Sequence, residues 1–305
     1  MATTRQSIIR GPGTITYNSL KLFDKDGISA EIESSTESVN SSFGSLDTIK
    51  TDQIGRVTLT PIGNLSEDLI ALFYPSWLQT PEPGRSIFGS SDTPLTICSK
   101  AGTKVVFNSA CITRFPEMRL SPVETAFGQV EFSALLANGK LASESNSFYS
   151  VGTQTYADGE APRSGLTGFH YEGPFGSLSI PDTLNGWTIG VDATLEPVTT
   201  DSQGTIDYTL GSVQVTARCT PLGLSESQIL AALPALQGRG NSIASANDLV
   251  ITASGGLTVT LKCASLVTGP LNWGATSLRA GEIGFTANID PTDGSLFEVS
   301  YTDPE

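Results

Sequence analysis

The chain has 305 residues, 17 of them basic and 31 acidic, for a formal charge of −14. That balance argues against a protein that grips nucleic-acid phosphates, which takes clustered Lys and Arg, but not against one past which nucleic acid slides. Only 16% of residues are charged, and Gly, Ser and Thr are abundant, a mixture that suits strands and turns better than helices laced with ion pairs.

Residues 1–13 read as a polar arm ending in Gly11-Pro12-Gly13. The arm lacks the apolar run of a secretory leader, and no later run is long enough to span a membrane. Thr14–Tyr17 is a first predicted strand. Ile28–Ser34 is a second, with Ile28, Ala30 and Ile32 on one face and Ser29, Glu31 and Glu33 on the other. Ser34–Asp52 is dominated by Ser, Thr and Asn, with Val39, Phe43, Leu46 and Ile49 spread through it. It is too long for a tight turn and is expected as an extended hairpin or a loop. Arg56–Thr60 returns as a strand. A short helix follows over Leu65–Tyr74, capped by Asn64 or Ser66, with Glu67 and Asp68 at its positive end and Pro75 as its stop. Leu95–Cys98 and Val105–Cys111 flank a turn at Ala101-Gly102, and Gln129–Leu135 is a closing strand. Asn138–Glu172 is rich in Ser, Gly and Thr and reads as linker plus loop. In the second half, Ser225-Glu226-Ser227-Gln228 is a capping box before an apolar run ended by Pro234. Leu249–Ala253 and Leu257–Cys263 flank Gly255-Gly256, and Glu282–Ala287 is the last clear strand. In the tail, Phe297, Val299 and Tyr301 alternate, which predicts one more strand, added to a neighbouring sheet.

The two halves repeat each other. Asp26-Gly27 and the alternation after it answer Asn185-Gly186 at an offset of 159, held through Glu37/Glu196 and Val39/Val198. Thr60-Pro61-Ile62-Gly63 answers Thr220-Pro221-Leu222-Gly223, and Leu65-Ser66-Glu67 answers Leu224-Ser225-Glu226. Near the end of each half, Phe127–Ala134 answers Ala280–Ala287 at an offset of 153. Four matches in one order argue for duplication, with domains at 1–150 and 151–305. The segment near Ala193–Leu210 is the counterpart of Ser34–Asp52.

Signs of chemistry are few. Cys98, Cys111, Cys219 and Cys263 form no C-x-x-C pair, and one histidine, His170, completes no common zinc set. They are expected as reduced, mostly buried thiols, and His170 as an exposed or structural residue in a loop. No Gly-rich run continues into G-K-[ST], and Asp24/Asp26 or Asp290/Asp293 lack the spaced series of a calcium loop. No catalytic residue, metal or cofactor is therefore assigned, and no enzyme is expected. Glu31, Glu33, Glu131, Asp192 and Glu282 fall opposite apolar strand positions. They form either an ordinary solvated sheet face or an acidic wall that keeps DNA phosphates from adhering.

The order of elements, carried by Asp26-Gly27 through Val39, by Pro61–Glu67 with its helix, by Gly128–Ala134 and by their second copies, resembles the major tail tube protein of long-tailed bacteriophages. The resemblance implies a mainly β protein, two tandem tail-tube-type β-sandwich or barrel domains, each with one short flanking α-helix. It implies stacked rings of three chains, each supplying two of six tube positions, around a channel for double-stranded DNA. Glu31, Glu33, Glu131, Asp192 and Glu282 would then face the lumen, and Val39, Phe43, Leu46 and Ile49 would reach the next ring. Further implied partners are the tape-measure, tail terminator and distal tail proteins; the location is the virion, after synthesis in the host cytoplasm. A tandem β-sandwich surface adhesin that binds carbohydrate, or a capsid decoration protein, are the alternatives from composition and pattern.

Overall fold

The structure, a computed structural model, describes residues 13–62, 65–121, 126–140, 144, 147–155, 169–172, 178–180, 183–201, 203–225, 227, 247–268, 271–273 and 278–302. It is mainly β. In chain order the first part holds β1 (Gly13–Tyr17), β2 (Leu20–Asp24), β3 (Ser29–Ser41), β4 (Gly44–Leu59), β5 (Pro61–Ile62), α1 (Glu67–Phe73), α2 (Ser76–Gln79), β6 (Leu95–Ser99), β7 (Thr103–Phe107), β8 (Ser109–Arg114), β9 (Met118–Leu120), β10 (Val130–Leu135) and β11 (Tyr149–Thr153). There follow β12 (Phe169–Glu172), β13 (Leu178–Ile180), β14 (Thr183–Thr200), β15 (Gly204–Pro221), β16 (Leu249–Thr252), β17 (Leu257–Leu261), β18 (Ser265–Thr268), β19 (Leu271–Trp273), β20 (Leu278–Ala280), β21 (Ile283–Thr286) and β22 (Phe297–Tyr301).

Sheet order repeats as the sequence does. One sheet runs β3-β4-β10-β8, and another runs β14-β15-β21-β18 with β9 added beside β14. A third runs β11-β7-β6-β1-β2-β5, and a fourth β22-β17-β16-β12-β13. The repeat extends to irregularities. The pairing of β3 with β4 shifts register between Ser35/Thr36 and Val39/Asn40. That of β14 with β15 shifts between Thr194/Leu195 and Val198/Thr199, the same places at an offset of 159. Along β4 and β15 the offset is 160, so the hairpins differ by one residue, inserted at the tip. Matching bulges in two hairpins mark one inherited backbone path, because each bulge re-aims every side chain beyond it.

The Ser34–Asp52 segment is thus the outer part of a long hairpin. Its β-branched residues and freedom from proline let the strands continue well past the core. Helix α1 starts as expected: Ser66 Oγ accepts from Leu69 N at 3.2 Å, and Glu67 and Asp68 occupy the first turn. Pro75 then opens the short α2, which local pattern did not reveal. Ser225 and Ser227 are described, but the rest of the second predicted helix lies outside the described residues. The expected single strand Val105–Cys111 is broken into β7 and β8 at Asn108. The Asn138–Glu172 stretch, read as linker plus loop, contains β11 and β12, so His170 lies on a strand, where it pairs with Ser179 and Thr252. The C-terminal alternation is a strand, and it pairs with β17 of its own half.

One buried cluster runs through both halves. The Tyr17 ring meets Phe132 edge-on at 5.0 Å, joining β1 to β10 across two sheets, and Tyr171 stacks on Trp187 at 6.1 Å, joining β12 to β14 in the same manner. No helix among the described residues is long and apolar enough to cross a membrane.

Candidate functional site

The residues of greatest interest lie on one polar sheet face and along three contacts between the halves. On the polar face, Glu31 stands opposite Arg56 in the β3–β4 ladder, and Glu131 opposite Thr58 and Arg114. Arg56 bridges Glu33 and Glu131, at 3.2 Å to each, so the structure brings these two acids together around a cation that the sequence reading left out. Burial works against the Arg56 charge, but Glu33 and Glu131 outweigh it and hold the guanidinium pKa above its ordinary value. In the second half Asp192 is exposed opposite Gln214, and Glu282 is exposed just before β21. Thr188 lies between Arg218 on β15 and Arg119 on β9. Acids and arginines are therefore interleaved on this face. Strand alternation already carried the signal: Arg56 alternates with Val57 and Leu59, and Arg218 with Ala217 and Cys219, all four of which are buried.

The first contact between halves is a seam. The chain leaves β8 at Arg114, passes through Phe115-Pro116-Glu117 and enters β9, which pairs with the start of β14: Met118 with Ile189, Arg119 with Thr188, Leu120 with Trp187. Two sheets of equal order are thus joined by one segment. At the seam Gly186 has φ +77°, and a Cβ there would sit 2.8 Å from the Leu120 carbonyl carbon and 2.9 Å from Ser121 Cα, so no side chain fits.

The second contact is the outer part of the β14–β15 hairpin, which lies on the first half. Gly84 N donates to Leu210 O at 2.7 Å, Leu210 N to Arg85 O at 2.9 Å, and Ile87 N to Tyr208 O at 2.9 Å. Asp52 accepts from Thr205 through both the backbone N (3.0 Å) and Oγ1 (2.8 Å), and Tyr208 stacks on Phe88. In the third contact, α1 and α2 cover β22. Leu296 N donates to Gln79 O, Val299 N to Gln79 Oε1, and Tyr74 meets Phe297 edge-on.

The counterparts of these covered surfaces are open. Val191 is 3% exposed, whereas Ile32, its equivalent on β3, is 43% exposed. Phe297 is fully buried, whereas Tyr149, which holds its place on β11, is 39% exposed. Gly27, equivalent to Gly186, has φ +108° and nothing within 4 Å of its would-be Cβ. Val39, Phe43, Leu46 and Ile49 all lie on the exposed β3–β4 hairpin, with Phe43 at its tip 99% exposed.

One described cleft, of about 640 Å³, is lined in part by Tyr17, Asp68, Trp77 and Cys111. Burial pushes the Cys111 thiol up to about 12 and the Cys219 thiol higher still, so neither is a thiolate near neutrality. All four cysteines are free. Burial likewise raises the Tyr17 hydroxyl, which donates to Ala110 O at 3.0 Å. No cluster of three or more metal-ligating side chains occurs among the described residues. No known protein-family profile matches the chain, and no curated protein matches it.

Proposed function

We propose that this chain is a non-catalytic structural subunit that joins head to tail into closed rings, and that the rings stack as the tail tube of a long-tailed bacteriophage. The observation that carries this reading is the seam between β9 and β14. It links two copies of one sheet and leaves β3 bare at one end and β18 at the other; β19, which pairs with β20, follows β18 in the chain as β9 follows β8. Met118–Leu120 maps onto Leu271–Trp273 at an offset of 153, the offset of the flanking repeat. Three chains joined this way would present six equivalent sheets around a channel. A heterologous interface that closes gives a ring, and closure removes the open strand edges that invite aggregation.

On this reading each half is a tube-type β-sandwich, with the apolar faces of its two sheets packed together. The interleaved acids and arginines face the channel, where a mixed lining lets double-stranded DNA and the tape-measure protein pass without tight binding. The tail terminator and distal tail proteins would bind the tube ends.

Electron microscopy and mass measurement on purified protein test the proposal. Rings of three 32.0 kDa chains, or tubes built from them, are expected. A monomer that stays monomeric at high concentration would overturn it, as would rings of six chains.

A further inference from the structure

We infer that the outer β3–β4 hairpin docks sideways on the second half of a neighbouring chain in the same ring, as the β14–β15 hairpin docks on the first half of its own chain. This rests on the head-to-tail ring proposed above. It differs from a role in stacking, in which the hairpin would reach up to another ring.

The warrant is internal. The two hairpins share both bulges and their tip glycines, Gly44 (φ +119°) and Gly204 (φ +72°), so they follow one backbone path. Gly204 is pressed against the first half: a Cβ there would lie 2.9 Å from both Asp52 Cγ and Thr51 O. Gly44 has nothing within 4 Å. The same contrast holds for Gly186 and Gly27 at the seam, and for Phe297 and Tyr149 on the flank. In each pair the second-half member is covered by the first half of its own chain, and the first-half member is more open: Gly27 and Gly44 have nothing within 4 Å and Tyr149 is 39% exposed. One missing neighbour, a second half placed as the chain's own first half is placed, would cover all three at once. The hairpin that waits for it carries Val39, Phe43, Leu46 and Ile49 in solvent; docking as the template docks would take Leu46 from 71% exposed toward the 39% of Ile206 while Val39, at 41%, stays near the 36% of Val198, so part of this apolar surface is covered.

The docked hairpin also supplies a residue-level address. Thr205 bonds Asp52 within the chain. At an offset of 160, Ser45 holds the place of Thr205 and Ser212 the place of Asp52. Ser45 of one chain therefore meets Ser212 of the next. Both are exposed in the single chain.

The test is a double variant, Ser45→Cys with Ser212→Cys, treated with a short thiol crosslinker under assembling conditions. The unmodified chain and each single variant control for the four native cysteines. The pair Asp52→Cys with Thr205→Cys checks that the reagent spans the template contact, which should close within one chain and add no covalent dimer. Covalent dimers and trimers should replace most of the monomer in the Ser45→Cys/Ser212→Cys protein, and the ladder should stop at three chains. Rings without that ladder, while the in-chain control closes, would overturn the sideways docking and leave the ring reading standing. A ladder running well past three chains would overturn it in favour of contact between rings. A protein that neither crosslinks nor forms rings would overturn both.

Discussion

At the residue scale, two glycines separate folding from assembly. Gly186 and Gly27 both hold left-handed backbone, so alanine at either is strained by roughly 1–3 kcal/mol. Only at Gly186 does the new methyl also meet the Leu120 backbone. Gly186→Ala should therefore lower the melting temperature of the unassembled chain clearly more than Gly27→Ala. The second variant should still fold yet fail to build rings, because the space it fills is reserved for a neighbour. Equal melting temperatures together with normal rings for Gly27→Ala would contradict the equivalence of the two positions. The thiols give a second residue-scale expectation. Cys111 is held protonated to about pH 12 in the fold, against an ordinary value near 9. The folded state thus binds a proton that the unfolded chain has already released, and the stability tied to that thiol is complete below about pH 9 and lost as pH rises toward 12. Cys219, Tyr17 and Tyr74 are shifted upward for the same reason, burial, and act in the same sense. Denaturant midpoints should fall steadily above pH 9. The midpoint of Cys111→Ala should fall less steeply, whatever its starting value; an unchanged slope would place the alkaline sensitivity elsewhere.

At the element scale, the helix cap and the free hairpin call for opposite outcomes. Ser66→Ala removes the acceptor for Leu69 N at the start of α1 and should cost about 1 kcal/mol, read as a shift in the urea midpoint. Phe43→Ser touches a side chain already in water, so it should leave that midpoint unchanged within roughly 0.5 kcal/mol while weakening assembly. Elements such as these were legible in the sequence for physical reasons. Alternation in Ile28–Ser34 and in Leu249–Cys263, the Ser66 cap and the stop at Pro75 are local, and local rules reach them. The hairpin over Ser34–Asp52 was half legible, since its length excluded a turn but its bulges leave no mark on composition. The seam was not legible. Met118-Arg119-Leu120 is a three-residue strand in the stretch between Pro116 and Pro122, matches Leu271-Asn272-Trp273 at no aligned position, and pairs with a strand far along the chain. The Arg56 bridge was missed for a related reason. Strand alternation shows which acids share a face of one strand, whereas Glu33, Arg56 and Glu131 come from three adjacent strands, and only their order in the sheet brings them together.

At the scale of the whole molecule, charge is unevenly placed. The chain carries −14 overall, yet the polar face spanning both halves alternates Glu31, Glu33, Glu131 and Asp192 with Arg56, Arg114, Arg119 and Arg218. If that face lines a channel, its near balance matters more than the net charge, because a double helix in a narrow bore feels the wall within a Debye length. Changing Glu31, Glu33 and Asp192 together to Lys would leave Glu131 and Glu282 facing seven cations. Folding should survive, since all three acids are exposed and the one ion pair lost, Glu33 with Arg56, is a surface pair worth about 0.2–1 kcal/mol. Tubes should still form, since none of the three lies at the seam, on the hairpin tip or on β22. DNA should now adhere to the wall, so particles carrying the variant should eject more slowly and infect less well, and raising the salt concentration should restore ejection, because phosphate–cation attraction is weakened by competing ions. Three measurements decide it: tail length by electron microscopy, ejection rate in vitro, and its salt dependence. Full-length tails that eject at the normal rate in low salt would remove this face from the channel. Slow ejection insensitive to salt would mean that the substitutions act by deforming the bore, not by charge.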